Sequence, residues 1–312
     1  MIILIALGGN ALLRRSQPPT EENQLANIKR ATAQIAQLPA EYQLVITHGN
    51  GPQIGLLALQ NAADTTTTPY PLDLLGAETD GMIGYLLEQE LSNHLSQERV
   101  IATLLTRVEV DANDPAFLNP TKPIGPMYTK EEAAEKLATQ KKWVIKPDGK
   151  GFRRVVASPK PIKILRIEPM LWLLQHHVIL IAAGGGGIPV VRSDDGQGYQ
   201  GVNAIIDKDL CSALLAEKIA AGILVIVTDV KAVFVDWGKP TQRAIRRISP
   251  KDLSQMKFSE GSMGPKVEAA CQFVLATGNP AVIGSLEMIQ ELIEGKAGTW
   301  VSNDCVEPVY EK

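Results

Sequence analysis

The chain has 312 residues, enough for about two lobes or one large α/β unit at ~150 residues per domain. Its 31 basic and 34 acidic side chains leave a formal charge of −3, which excludes a nucleic-acid binder that works through a general basic field. With 45% hydrophobic and 21% charged residues it has an ordinary globular composition, which excludes global disorder.

Residues 2–7 open the chain as an apolar run of strand length. Leu25, Ile28, Ala31, Ile35 and Leu38 then step by three and four, giving one helical stripe. Further strand candidates are 44–47, 100–105, 178–182, 223–228 and 281–283. All are continuous apolar stretches rather than alternations, the pattern of strands covered on both faces. Between them, residues 65–68 are four threonines that read as an exposed loop. The segment 111–161 is rich in Pro, Gly and Lys and reads as an excursion from the main sheet, either decoration or a lid. Within it Thr129 and Glu132 suit a capping box, and 142–147 with 152–157 suit a hairpin. Leu210, Leu214 and Ile219 mark a helix after Asp209, and Ser249-Pro250 reads as a helix cap followed by proline in the first turn. The β-α-β-α order predicts a doubly wound α/β fold with a mainly parallel sheet.

Cys211, Cys271 and Cys305 are far apart and form no CxxC, so neither a disulfide framework nor a zinc site is expected; they read as reduced core thiols. Residues 1–7 lack a preceding cationic region and end at Gly8-Gly9-Asn10, unlike a signal peptide. No apolar run approaches the ~20 residues of a membrane span. The expected compartment is the cytoplasm, with no membrane partner.

Glycine-containing loops follow three of the strand candidates, at Gly8-Gly9-Asn10, Gly49-Asn50-Gly51 and residues 184–187. A fourth, residues 261–266, precedes a helical pattern. Glycine often does no more than make a turn. Repeated at the carboxyl ends of one parallel sheet, it also lets backbone N–H groups approach an anion. GxxxxGK[ST], GxGxxG and GxSxG are all absent, which argues against a P-loop, a dinucleotide fingerprint and a serine nucleophile. Lys122, Lys208 and Lys266 lie beside Gly, Pro or paired Asp. A lysine is by default a surface residue. Held by a neighbouring carboxylate, three such charges suit phosphoryl transfer, whose transition state spreads negative charge over three oxygens. Asp209 is open to two readings, a holder of these lysines or a helix cap. His48 is equally open between ligand contact and a structural hydrogen bond. Arg153-Arg154 reads as a solvated face, and Asp194-Asp195 as a turn.

Taken together the motifs resemble carbamate kinases of the amino-acid kinase superfamily, from residue 3 to residue 299. They are ALGGNAL (6–12), HGNGPQIG (48–55), GMIGY (81–85), TKPIGP (121–126) and RRVVASPKP (153–161), then GGGGIPV (184–190), AIIDKDL (204–210), TDV (228–230) and GSMGPKVEAA (261–270). The resemblance implies a three-layer αβα sandwich with a small protruding subdomain, and a homodimer. The chain is then one unit, with a carbamate- and phosphoryl-binding lobe (1–210), a lid-like subdomain (111–161) and a nucleotide-binding lobe (211–312). The implied reaction is ATP + carbamate ⇌ ADP + carbamoyl phosphate with Mg²⁺, run in catabolism toward ATP. By motif, Gly8, Gly9 and Asn10 cradle the phosphoryl group, and Gly49, Asn50 and Gly51 bind carbamate. Lys122 reaches over the substrate. Lys208 and Lys266 flank the phosphates under the control of Asp209. Gly186, Asp229 and Met263 border the nucleotide. Mg²⁺ is held through phosphate oxygens and water, with no protein metal ligands. The alternatives are a kinase for another small carboxylate and a non-catalytic nucleotide-binding paralogue. Asn203 stands where this family usually has an acidic residue, and Glu78-Thr79-Asp80 where a less charged triplet is common.

Overall fold

The structure, a computed structural model, describes all residues except 14–16, 19, 64, 65, 67, 132–134, 136–138, 140–142, 150, 194, 260, 261 and 312, and the side chains of Asn10, Ala11 and Pro126. The capping box sought at Thr129 and Glu132, the Asp194 half of the acidic turn, two of the four threonines and the first glycine of the fourth loop lie outside the described residues.

The first apolar run is β1 (Ile2–Leu7), followed by a single helical turn, α1 (Gly9–Leu12). The stripe forms α2 (Glu21–Ala36), with the Thr20 side chain accepting the Asn23 N–H at 3.4 Å and two glutamates in the first turn. Next come β2 (Gln43–His48), α3 (Gly51–Ala63), α4 (Leu72–His94), β3 (Ile101–Leu104) and β4 (Arg107–Val110). The excursion contains β5 (Lys122–Tyr128), β6 (Val144–Asp148) and β7 (Gly151–Val156), and β8 (Pro161–Ile164) brings the chain back. Then follow α5 (Glu168–Gln175), β9 (Ile179–Ala182), β10 (Ile188–Arg192), β11 (Tyr199–Gly201), α6 (Lys208–Lys218) and β12 (Ile223–Thr228). The last part holds β13 (Phe234–Val235), β14 (Arg243–Ile248), α7 (Pro250–Ser254), α8 (Met263–Thr277), β15 (Ala281–Ser285), α9 (Ile289–Ile293), β16 (Thr299–Val301) and β17 (Val309–Tyr310).

The main sheet runs β13-β14-β16-β15-β12-β1-β2-β9-β3, with β17 on β14. The six strands expected from apolar runs are its six neighbouring parallel members, β15, β12, β1, β2, β9 and β3. Their lack of alternation has a simple cause. Along β1, Leu4 and Ala6 enter one core with Cys211, Leu215, Phe273 and Val274 of α6 and α8, while Ile3, Ile5 and Leu7 enter the other with Ile28, Ile35, Ile83 and Leu87 of α2 and α4. Two helix layers therefore cover the sheet, as the αβα expectation requires. Each such fully buried Ile or Leu is worth roughly 1.5–3 kcal/mol.

The added strands were not expected. β14 carries Arg243, Arg246 and Arg247, a charge density that hides its alternation. Its guanidinium at Arg246 reaches the carbonyls of Gly298 (3.1 Å) and Lys296 (2.6 Å) rather than a core. A second sheet, β11-β10-β4-β8, has strands of three to five residues, too short to show a period.

The excursion is a third, antiparallel sheet, β5-β7-β6, containing the expected hairpin. A small core joins its base to the body: Ile124 and Val156 pack with Ile54, Ala58, Leu72, Leu75 and Ile205. Gly55 of α3 lies so close to Gly125 of β5 that a Cβ at 55 would sit 2.1 Å from the Gly125 N and Cα. The Arg153-Arg154 pair is not a solvated face. Arg153 bonds Asp148 (3.2 Å) and the Gly125 carbonyl (3.0 Å), and Arg154 lies 4.2 Å over the Trp143 ring. Burial lowers the Arg154 pKa to about 10 against the countering pull of Tyr128. Cys211 and Cys271 are core thiols as expected, whereas Cys305 is only partly buried. No helix among the described residues is long and apolar enough to cross a membrane.

Candidate active site

Four adjacent parallel strands, β9, β2, β1 and β12, lie side by side, and the segments that follow them gather at their carboxyl ends, the usual ligand position for such a sheet. After β1, the Gly8 N–H donates to the Val227 carbonyl of β12 at 3.1 Å, and Gly9 and Asn10 begin α1; the Asn10 side chain lies outside the described residues. After β2, the Gly49 N–H donates to the Leu7 carbonyl at 3.1 Å and Gly49 packs against Gly9. The Asn50 amide donates to Thr79 Oγ1 of α4 at 2.9 Å, and Gly51 starts α3. After β9, Ala183, Gly185, Gly186 and Gly187 all have positive φ, a path that L residues rarely follow and that lays this loop across Asn50 and Ile206. Gly186 is the residue against Ile206, one step before the acidic cap of α6.

That cap settles the two readings of Asp209. Asp207, not Asp209, caps α6: its Oδ1 accepts from the N–H groups of Asp209 (2.9 Å) and Leu210 (3.3 Å). Asp209 is left to the lysines. Its Oδ1 takes Lys208 Nζ at 2.6 Å and its Oδ2 takes Lys266 Nζ, from α8, at 2.9 Å. Lys208 Nζ also lies 3.4 Å from the Ala6 carbonyl near the end of β1. The second oxygen of Asp207 pairs with Lys122 Nζ at 2.8 Å. Three ammonium groups thus meet two carboxylates at one helix start, and the Asp229 carboxylate also acts on Lys266.

Burial sets the electrostatics. Lys208 and Asp209 are 7% and 4% exposed. Burial draws the Lys208 pKa below 10.5 despite Asp209. For Lys266 burial works the same way, but the Asp209 carboxylate wins and holds the ammonium above 10.5. Burial alone would raise Asp209; the two ammonium groups overrule it and keep the carboxyl well below the usual carboxylate range. Its folded-state pKa being depressed, its contribution to stability is present above about 3.9 and is lost as pH falls through the folded value.

Beyond β12 a cavity of about 640 Å³ opens, lined by Asp229, Phe234, Trp237, Phe258 and Met263 among others. Phe234 and Trp237 meet edge to face at 5.2 Å. Sequence reasoning placed Asp229 and Met263 together but missed the aromatic walls, which lie on two loops about twenty residues apart with no shared motif. Asp207 was visible only as the first letter of an Asp-Lys-Asp triplet.

The family profile described as "Amino acid kinase family" matches residues 1–285. A carbamate kinase of Haemophilus influenzae is 59% identical over 302 residues, covering 97% of each chain. The chain belongs to the amino acid kinase family, within its carbamate kinases. One of Rhizobium meliloti is 55% identical, over 97% of this chain and 94% of that one. The structure of carbamate kinase from Giardia lamblia bound to AMP-PNP superposes with a TM-score of 0.85 at 37% identity, covering 96% of this chain and 98% of the other. Set in that family, the departure at Asn203 is explained by geometry. Its Oδ1 accepts the Leu72 N–H at the start of α4 at 3.1 Å, a task a carboxylate performs equally.

Proposed function

We infer that the chain catalyses reversible phosphoryl transfer between ATP and carbamate, giving ADP and carbamoyl phosphate. The observation that carries this is the Lys208–Asp209–Lys266 cluster, buried at the carboxyl end of a parallel sheet in a carbamate kinase relative. Carbamate is already a nucleophile, so the site needs no strong base; its work is alignment and neutralisation of charge. Lys208 and Lys266 flank the moving phosphoryl group, and Asp209 fixes both. Lysine, a compact point charge on a flexible stem, follows the group as it passes from donor to acceptor. Gly8, Gly9 and Asn10 cradle the phosphoryl group, the Gly8 N–H itself being taken by the Val227 carbonyl. Gly49, Asn50 and Gly51 receive the carbamate end, and Lys122 closes over it from the excursion. Gly186, Asp229 and Met263 border the nucleotide, with Asp229 and Met263 lining the cavity beyond β12.

The family implies Mg²⁺ with the nucleotide. Asp209 is fully engaged by two ammonium groups, so the donor set suits an ion carried on phosphate oxygens and water rather than in a carboxylate cage. When bound, that ion neutralises nucleotide charge. Purified protein given Mg²⁺-ADP and carbamoyl phosphate should make ATP. No ATP above a no-enzyme control would refute the assignment, and ADP release with a different acid would favour the other-carboxylate reading.

The homodimer implied by the resemblance finds support in α4. Leu74, Met82 and Tyr85 are exposed on this helix, which packs beside β3, an edge of the main sheet. Light scattering should give twice the 33.7 kDa chain mass, and Tyr85→Lys should halve it; a monomer in the unmutated protein refutes the reading.

A further inference from the structure

Beneath the substrate loops lies a pair that the mechanism above does not use. His48, the last residue of β2, is fully buried, and Asp80 of α4 is 1% exposed. Their side chains approach to 3.4 Å, His48 Nε2 to Asp80 Oδ1. Neither Asp80 oxygen nor His48 Nε2 makes a well-formed hydrogen bond among the described residues. The backbone of Gly184 seals the pair: a Cβ there would fall 1.9 Å from Asp80 Oδ1 and 2.4 Å from His48 Nε2.

The other ring nitrogen decides the proton count. His48 Nδ1 lies 3.2 Å from the Gly49 carbonyl oxygen. A carbonyl only accepts, so Nδ1 carries a hydrogen. Were Nε2 bare, its lone pair would face a buried carboxylate, and both groups would be left unsatisfied. A second proton between Nε2 and Oδ1 removes that conflict.

We propose that His48 and Asp80 share one proton as a buried pair whose role is to fix the Gly49 carbonyl and thereby position the Gly49–Gly51 turn for the acid substrate. The substrate half of this statement rests on the proposed function; the proton count does not. The peptide after Gly49 is trans, so a carbonyl held toward His48 aims the Asn50 N–H the opposite way, out of the buried pair. Asn50 is tied down on its other side through Thr79 Oγ1, which donates to the Gly76 carbonyl at 2.9 Å. Two neighbouring residues of α4 therefore hold two neighbouring residues of the turn. His48 and Asp80 are positioning residues, since neither is placed against the reacting atoms.

The test begins with the unmutated holoprotein, labelled with ¹⁵N at its four histidines. One histidine should carry hydrogen on Nδ1 and a second, hydrogen-bonded proton between Nε2 and a carboxylate. In Asp80→Asn that second proton should be lost and hydrogen remain on Nδ1, because a carboxamide N–H can donate to Nε2. The same variant should raise the KM for carbamoyl phosphate at least about tenfold, the size of one lost charge-assisted hydrogen bond, and leave the KM for ADP unchanged. A His48 with a bare Nε2 in the unmutated protein overturns the proposal, as does a shared proton that survives Asp80→Asn. Equal changes in both KM values overturn the positioning role. Unmutated protein that makes no ATP would instead refute the function, leaving the proton count to stand or fall on its own spectrum.

Discussion

Lys208→Ala should lower kcat for ATP formation by about 10²–10³-fold, roughly 3 kcal/mol, as does removal of one donor to a developing negative charge elsewhere. The fold should survive, because the 2.9 Å Asp209–Lys266 pair remains. Asp209→Ala is the less informative variant: it strands two buried ammonium groups and should cost about 3–5 kcal/mol of stability. Melting curves alongside initial rates separate the two effects. The same lysine also sets an alkaline limit. Burial holds the Lys208 pKa below 10.5, so raising the pH discharges it before an ordinary lysine, and before Lys266, which Asp209 holds up. Activity requires the ammonium form. The rate should therefore fall on the alkaline side below 10.5, and that limb should move upward in Lys208→Arg, whose guanidinium stays charged. A normal rate for Lys208→Ala, or a limb unmoved by arginine, would remove Lys208 from the chemistry.

Gly55→Ala should be nearly as damaging although it touches no proposed ligand. The new Cβ would sit 2.1 Å from two backbone atoms of Gly125, where ordinary contact begins at 3.4 Å. Backbone cannot swing aside as a side chain does, so β5 must retreat by about 1 Å, and Lys122 leaves Asp207 with it. Displacements of that size cost about 10²-fold in rate, and overpacking of this sort costs about 1–3 kcal/mol of stability. Measurement of kcat/KM for carbamoyl phosphate with a thermal melt tests both; an unchanged kcat/KM would mean that docking of the excursion on α3 has no part in turnover.

The sequence displays the parallel half of the main sheet because burial on two faces leaves an uninterrupted apolar run, as at 223–228. It conceals β14, whose arginines serve the sheet rim, and β16, only three residues long. Among site residues, the lysines and glycine loops were legible because their motifs are contiguous. Asp207 and Asp209, on either side of Lys208, have separate tasks that depend on where α6 begins, a difference of two residues that periodicity does not resolve. The His48–Asp80 pair arises from a contact between β2 and α4, segments far apart in the chain, so no local pattern announces it.

Asp207 spends one oxygen on the start of α6 and the other on Lys122, 85 residues earlier in the chain. The arm and the helix are thus synchronised through a single side chain. Any displacement of Lys122 therefore unbalances the carboxylate that starts α6, one residue from Lys208.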